Sequence, residues 1–305
     1  MRILVTGGCG FIGSHITDGL VEAGHDVFVV DNLSTGNLEN LTAAAKFYEL
    51  DVRDAALADV FSEVKPDVVY HEAAQIDIAK SVRDVGFDAS VNILGAVNVL
   101  SCCRDFGVKK IIYASSAAVY GDPQYLPVDE VHQVAPLSFY GVSKFTPELY
   151  IKTFAHLYGI KYTILRYANV YGIRQDPKGE GGVVSIFVDC LLKGNTPKIF
   201  GDGEQTRDFV YVKDIAAANL LALTKGDNEI INVSTNRRIT VNELLDTLSE
   251  GNVKAEYLPP RAADILHSAL NNSKAEKLLG FVPQYTLAEG LRETMEYYRK
   301  KNAMN

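Results

Sequence analysis

The first thirty-one residues restrict the possible folds more than any other stretch of the chain. An apolar run, Ile3-Leu4-Val5, has the character of a buried parallel strand. Gly7, Gly10 and Gly13 follow at three-residue spacing, then a helical pattern, then a second apolar run, Val27 to Val30, closed by Asp31. Glycines so spaced permit a tight turn, a close backbone approach to a pyrophosphate, and close packing of helix on sheet. The helix they introduce aims free N–H groups and the positive end of its dipole at that pyrophosphate. A carboxylate at the end of the second strand accepts hydrogen bonds from an adenosine ribose and repels a 2′-phosphate. The expected ligand is therefore NAD rather than NADP.

Composition narrows the setting. A chain of 305 residues can bury a large core in one large or two intimate domains. It is 47% hydrophobic, and no apolar run reads as long enough to span a membrane. Met1 leads straight into the first strand, which predicts no signal peptide and a cytoplasmic location. A net charge of −8 without a long basic cluster argues against nucleic acid as a partner. Cys9, Cys102, Cys103 and Cys190 have neither zinc spacing nor the look of a disulfide framework. His71-Glu72-Ala73-Ala74-Gln75 begins like a zinc-protease helix but lacks the second histidine, so no metal is expected.

Strands and helices alternate as in a doubly wound α/β sheet. Strands are predicted at 2–6, 26–30, 46–50, 67–71, 110–115 and 161–166, with helices near 12–23, 54–62, 82–105 and 139–158. After residue 167 the pattern changes. A glycine loop at 179–182 precedes a helix to about 193, and a short strand at 198–200 leads into Gly201-Asp202-Gly203. Further helices are predicted near 240–249, 273–279 and 287–301. The expected organisation is a Rossmann-type domain of residues 1–167 plus about 208–236. A smaller α/β cap of 168–207 plus about 237–305 would cover the C-terminal sheet edge, where open parallel sheets bind ligands.

Tyr140 and Lys144 lie four apart, on one face of a predicted helix. An ammonium and a positively charged nicotinamide ring both favour phenolate, so the phenol pKa is expected to fall towards the range of a general base. Tyr297 and Lys301 share the spacing on a tail helix, where a solvated face explains it. Context separates the pairs. Tyr140 follows a strand ending in Ala114-Ser115-Ser116, which delivers the Ser116 hydroxyl to the cofactor's edge. Ser116 is suited to hold the substrate oxygen that Tyr140 deprotonates.

Thr6 to His15, Ser115-Ser116-Ala117-Ala118-Val119-Tyr120-Gly121 and Tyr140-x-x-x-Lys144 resemble the extended short-chain dehydrogenase/reductase superfamily. Arg166 to Gly172, Gly201 to Asp208 and Arg261 to Asp264 narrow the resemblance to UDP-glucose 4-epimerases and their UDP-N-acetylglucosamine relatives. The resemblance implies reversible oxidation at C4 of a UDP-hexose, with bound NAD regenerated in each cycle. Tyr140, Lys144 and Ser116 would be catalytic. Gly7, Gly10, Phe11, Ile12, Gly13, Asp31, Asn32, Asp51, Val52 and Asn92, with Tyr140 and Lys144, would hold NAD. Asn169, Arg207, Arg261, Asp264 and Ser268 would join Ser116 and Tyr140 in contacting the UDP-sugar. Ser268 would stand beside the C2 substituent, and its small size implies room for an N-acetyl group. The resemblance also implies a homodimer formed through the helices at 82–105 and 139–158.

Cys9, Glu72, Asp77 and Ala263 depart from the usual pattern, and Pro147 should kink the catalytic helix. A dehydratase would need an acid pair where Ala117 and Ala118 stand. A net oxidoreductase and a non-catalytic NAD-binding regulator stay open as alternatives.

Overall fold

A computed structural model describes residues 1–176, 182–260 and 265–304. Its centre is a seven-stranded sheet. The strands, in chain order, are β1 (Arg2–Thr6), β2 (Asp26–Asp31), β3 (Lys46–Glu49), β4 (Val68–His71), β5 (Lys110–Ser116) and β6 (Lys161–Tyr167). The later strands are β7 (Asn169–Tyr171), β8 (Lys198–Phe200), β9 (Thr206–Arg207), β10 (Phe209–Tyr211), β11 (Glu229–Val233), β12 (Ile239–Thr240) and β13 (Glu256–Leu258). The sheet order is β11-β6-β5-β4-β1-β2-β3, with every neighbouring pair parallel. Order reverses beside β1, which opens the crevice where doubly wound sheets take ligands.

The strands are nearly all apolar because both sheet faces are covered. Ile3, Val5, Val29, Tyr70, Ile112 and Leu165 point to one side and pack with Ile16 and Leu20 of the helix Phe11–Glu22 and Ile215 and Ala218 of the helix Val212–Ala222. The alternating residues Leu4, Val30, Val69, Ile111 and Ile164 pack on the other side with Leu57, Phe61, Val99 and Ile151. A third cluster, including Tyr171, Phe187, Phe209, Tyr211, Leu244 and Leu291, forms the core of the smaller part of the molecule. There β7 pairs with β10, β8 with β13, and β9 with β12. β11 returns to the main sheet beside β6, whereas β10, from the same predicted return segment, does not.

Some elements differ from expectation for identifiable reasons. The helix predicted near 82 is two helices, Ile78–Arg83 and the continuous Val85–Asp105. Asp77 and Asp84 each cap one of them, accepting from the backbone N–H of Lys80 and Phe87 respectively. The helix expected at 54–62 is Leu57–Val64, since Asp51 to Ala56 forms turns ahead of it. The Val85–Asp105 helix is long and apolar enough to cross a bilayer by length and composition, which corrects the reading that no run is. Here 39% of its apolar window is buried in protein, and it carries Asp88 and Asn92 into the interior. The helix Phe139–Tyr158 continues across Pro147 as one element.

Candidate active site

The chemistry-bearing groups gather at the C-terminal strand ends: Thr6 on β1, Asp31 on β2, His71 on β4, Ser116 on β5 and Tyr167 on β6. Between β1 and the first helix the chain turns sharply. Gly7 has φ +73° and donates its N–H to the Val30 carbonyl at 2.8 Å. A Cβ on Gly13 would lie 2.2 Å from the Gly7 carbonyl oxygen. The helix that starts at Phe11 has no side-chain cap and no acidic residue in its first turn. Its N–H groups are thus left for an anionic ligand. Phe11 and Ile12 are partly buried and pack towards the third core cluster.

Asp31 is buried, and both its oxygens already receive backbone hydrogen bonds, from Cys9 at 3.0 Å and Leu33 at 2.8 Å. Burial raises its pKa, and those two donors pull it back. A carboxylate offers about four acceptor positions, so each oxygen keeps capacity for a ribose hydroxyl. The exposed Asn32 donates to Asp51 at 2.8 Å. Hydrogen bonds from Arg53, outweighing partial burial, hold Asp51 down to about 2. Val52 is buried, with its carbonyl bound by Asn98 at 2.8 Å.

Ser116 ends β5, and its hydroxyl accepts from the Ala118 N–H at 3.1 Å, capping a short turn. The same hydroxyl favours the charged form of the partly buried phenol of Tyr140. The protein's own groups raise the Tyr140 pKa. Burial is the main cause and the charge of Asp88 adds to it; the Ser116 hydroxyl opposes both. Lys144 does not offset the burial cost, because its Nζ lies over the Tyr113 ring, 4.9 Å from the centroid. Burial lowers the Lys144 pKa, while Glu72, Glu148 and Asp88 raise it. Among the described residues, no group accepts a hydrogen bond from the Nζ of this lysine, whose side chain is otherwise buried. The glycine cradle, the uncapped helix and this ammonium fit the phosphates and a ribose of NAD.

Asn92 is fully engaged with protein. It accepts from Gln75 N at 2.7 Å and donates to the Gln75 carbonyl and Ser143 Oγ, both at 2.9 Å. It thereby ties the loop after β4 to the helix bearing Tyr140, a positioning task. Its local π turn, Ser90–Leu94, is a form common at functional sites, and the sequence reading missed it.

A second feature it missed holds the helix bearing Tyr140 and Lys144 to the sheet. Glu148, one turn beyond Lys144, takes two hydrogen bonds from Arg166, at 2.6 and 3.0 Å, and one from Ser115 at 2.6 Å. The group is buried, and the Arg166 guanidinium lies over the Tyr120 ring. A glutamate one turn after the lysine on a helix, with arginine inside an apolar strand, was the available signal. Asp77 caps the helix Ile78–Arg83.

The groups expected to meet substrate lie across the crevice. Asn169 is exposed on β7, whose partner strand β10 follows Arg207 and Asp208. Arg207 donates to the carbonyls of Thr206 at 2.9 Å and Leu266 at 3.2 Å. Ser268 donates its N–H to the Thr206 carbonyl at 3.0 Å, which sets it beside Arg207 rather than at the cap of the helix Ser273–Leu279. Arg261, Ala263, Asp264 and most of the glycine loop at 179–182 lie outside the described residues. A cavity of about 670 Å³ opens next to Arg207 and is lined by Phe200, Gly201, Gln205, Tyr257, Leu258 and Leu266, among others.

Residues 3–234 match the NAD dependent epimerase/dehydratase family. A UDP-glucose 4-epimerase of Mycolicibacterium smegmatis is 43% identical over 313 residues, covering 99% of this chain and 100% of that protein. The solved structure of UDP-glucose 4-epimerase with UDP-glucose from Thermotoga maritima superposes with a TM-score of 0.96 at 48% identity, over 99% of this chain and 100% of that one. UDP-N-acetylglucosamine 4-epimerase of Methanobrevibacter ruminantium, in complex with UDP-N-acetylmuramic acid, gives a TM-score of 0.94 at 37% identity, over 98% of each chain. Joined to a Rossmann-type sheet and a Ser-Tyr-Lys set at its ligand edge, these likenesses mean that the chain belongs to the NAD-dependent epimerase/dehydratase family, among its UDP-sugar 4-epimerases.

Proposed function

We propose that this chain interconverts UDP-hexoses epimeric at C4, with NAD as a bound catalyst. The observation that carries the reading is the meeting of Ser116, Tyr140 and a buried Lys144 lacking any hydrogen-bond acceptor at one sheet edge. NAD bound against Gly7, Gly10, Gly13 and Asp31 supplies hydride chemistry at C4 and the positive charge of its oxidised ring. Tyr140 Oη takes the proton of the sugar 4-hydroxyl and returns it after the sugar has turned. Ser116 holds the same oxygen. Lys144, whose ammonium lies over the Tyr113 ring, is available to donate to the nicotinamide ribose. Ser115, Glu148 and Arg166 keep that helix in register with β5 and β6. Arg207, with Arg261, suits the diphosphate by its fork of donors, and the neighbouring cavity suits the nucleoside.

The proposed domain division is 1–167 plus about 208–236 for the cofactor part and the remainder for the UDP-sugar part. The proposed assembly is a homodimer. Val142, Leu149, Tyr150 and Leu157 are exposed on one stripe of the helix Phe139–Tyr158, and Leu94 is exposed on the neighbouring Val85–Asp105 helix. Sedimentation equilibrium reads this directly, and a monomer at micromolar concentration would contradict it. Four free cysteines suit a reducing, cytoplasmic setting.

The central experiment is Tyr140→Phe, assayed for conversion of UDP-galactose to UDP-glucose without added NAD. General acid–base groups contribute about 10²–10⁴ in rate, so turnover should fall by that factor while NAD stays bound. Tyr297→Phe is the control and should be silent. Near-normal turnover by Tyr140→Phe removes Tyr140 from the mechanism.

A further inference from the structure

Three separate chain segments carry the described groups expected to meet the UDP-sugar: β7 with Asn169, β9 with Arg207, and the stretch from Leu266 to Leu270 with Ser268. They come together at Asp208, which the activity described so far does not use. The Asp208 carbonyl accepts from the Asn169 N–H at 2.9 Å, and the residue before it is Arg207. Its side chain is buried. Oδ1 accepts from Thr235 twice, from the N–H at 2.9 Å and from the hydroxyl at 2.6 Å. Oδ2 accepts from the Leu270 N–H at 3.4 Å. Thr235 lies just beyond β11, so the carboxylate bridges the edge of the main sheet and the segment that carries Ser268.

That segment is laced down along its length. Thr206 donates its N–H to the Leu266 carbonyl at 2.9 Å and accepts from the Ser268 N–H at 3.0 Å. The Ala269 carbonyl accepts from the Val128 N–H at 2.8 Å, and the Leu270 carbonyl from Ser234 Oγ at 2.8 Å. Each of these contacts joins two segments, whereas Asp208 reaches β7 through its carbonyl and both the end of β11 and Leu270 through its carboxylate. Both carboxylate oxygens face donors, so the place calls for two acceptors. An amide there would turn its own N–H against one of them.

We propose that Asp208 is a positioning residue of the UDP-sugar site, whose buried carboxylate ties Thr235 to Leu270 and so holds Asn169, Arg207 and Ser268 as one surface for the diphosphate and sugar. The proposal rests on the UDP-hexose reading above. The NAD cradle lies on other elements, at β1, β2 and the helix Phe11–Glu22. Loss of the carboxylate therefore loosens the grip on the UDP portion and leaves the cofactor's own contacts in place.

The test is Asp208→Asn in the full-length chain at about pH 8, where the native carboxyl, pushed up to about 6 by burial and held back by its donors, is ionised. Whichever way the amide lies, its NH2 meets the donors of Thr235 or of Leu270 and leaves a buried donor unsatisfied. Calorimetric titration should show UDP bound about tenfold or more weakly, with NAD affinity unchanged. With UDP-galactose, KM should rise by a similar factor while kcat stays within about threefold, the mark of lost binding rather than lost chemistry. Thr235→Val removes only the hydroxyl donor and should weaken UDP binding in the same sense by less. UDP affinity within about twofold of the parent in Asp208→Asn overturns the proposal. An equal loss of UDP and NAD affinity overturns it too, because a general stabiliser would act on both. Should Asp208→Asn not fold, unchanged UDP affinity in Thr235→Val overturns it instead. Weakened UDP binding beside a parent chain that turns over no UDP-hexose would uphold the proposal and count against the functional reading alone.

Discussion

Replacing Gly13 by alanine tests the cofactor cradle at its tightest point. The added Cβ would lie 2.2 Å from the Gly7 carbonyl oxygen, 2.9 Å from its carbon and 3.1 Å from Gly8 Cα. Carbon–oxygen contacts settle near about 3.3 Å, so the overlap is roughly 1 Å. All three obstructing atoms belong to backbone, and Gly7 is pinned by its own hydrogen bond to Val30. Overpacking costs about 1–3 kcal/mol where side chains can yield. With backbone in the way, a value near the upper end is expected. Because the turn that must shift is the one offered to the pyrophosphate, most of that cost should also appear in NAD binding, as a loss of about 100-fold. Gly86→Ala is the control: a Cβ there meets only Asp84 Oδ1, at 3.8 Å, and helical alanine is favoured over glycine. Urea unfolding and calorimetric titration with NAD read the two quantities. Parent-like stability and NAD affinity in Gly13→Ala would refute the reasoning.

Asp31 should set cofactor choice: NADP is expected to bind at least about tenfold more weakly than NAD, and equal affinities in a titration would contradict its role. His71, buried and bound to Thr6 Oγ1 at 2.7 Å, has its pKa lowered to about 3 by burial and by the Lys144 charge. A folded-state pKa below the unfolded value means stability is full above about 6.5 and is lost as pH falls. From pH 6.5 to 5 this one group costs roughly 2 kcal/mol. Urea unfolding of the parent and of His71→Asn at both pH values should differ by about that amount, and parallel pH dependences would exclude His71 as the source. Ser268→Tyr, beside Arg207, should abolish turnover of UDP-N-acetylgalactosamine and spare UDP-galactose, since added bulk opposes only the larger C2 substituent. Parent protein inactive on the N-acetylated sugar at saturation would show the pocket to be closed.

Local rules reach some of this molecule and stop at identifiable places. The strands β1 to β6 were legible within a residue or two, the inner ones because strands buried on both faces need mostly apolar side chains. The helix Phe139–Tyr158 was legible at both ends, since Ser138 caps its start and Gly159 ends it in the left-handed region. Ser116, Tyr140 and Lys144 could be gathered from the chain because strand ends and i, i+4 spacing are local. What escaped was pairing between elements distant in sequence. Nothing near Asn92 announces that Gln75 and Ser143 will consume its amide, and nothing near Glu72 announces Tyr167, ninety-five residues on. What the protein's own groups do to the Tyr140 pKa was hidden for a related reason. Sequence spacing shows that an ammonium shares a helix face, whereas the sign of the shift depends on how deeply the phenol is buried and where that ammonium points. Lys144 points over Tyr113, so its charge does not cancel the burial cost, and the protein alone favours a protonated Tyr140. If the oxidised ring's positive charge completes the base, proton removal from the sugar is tied to the presence of a hydride acceptor.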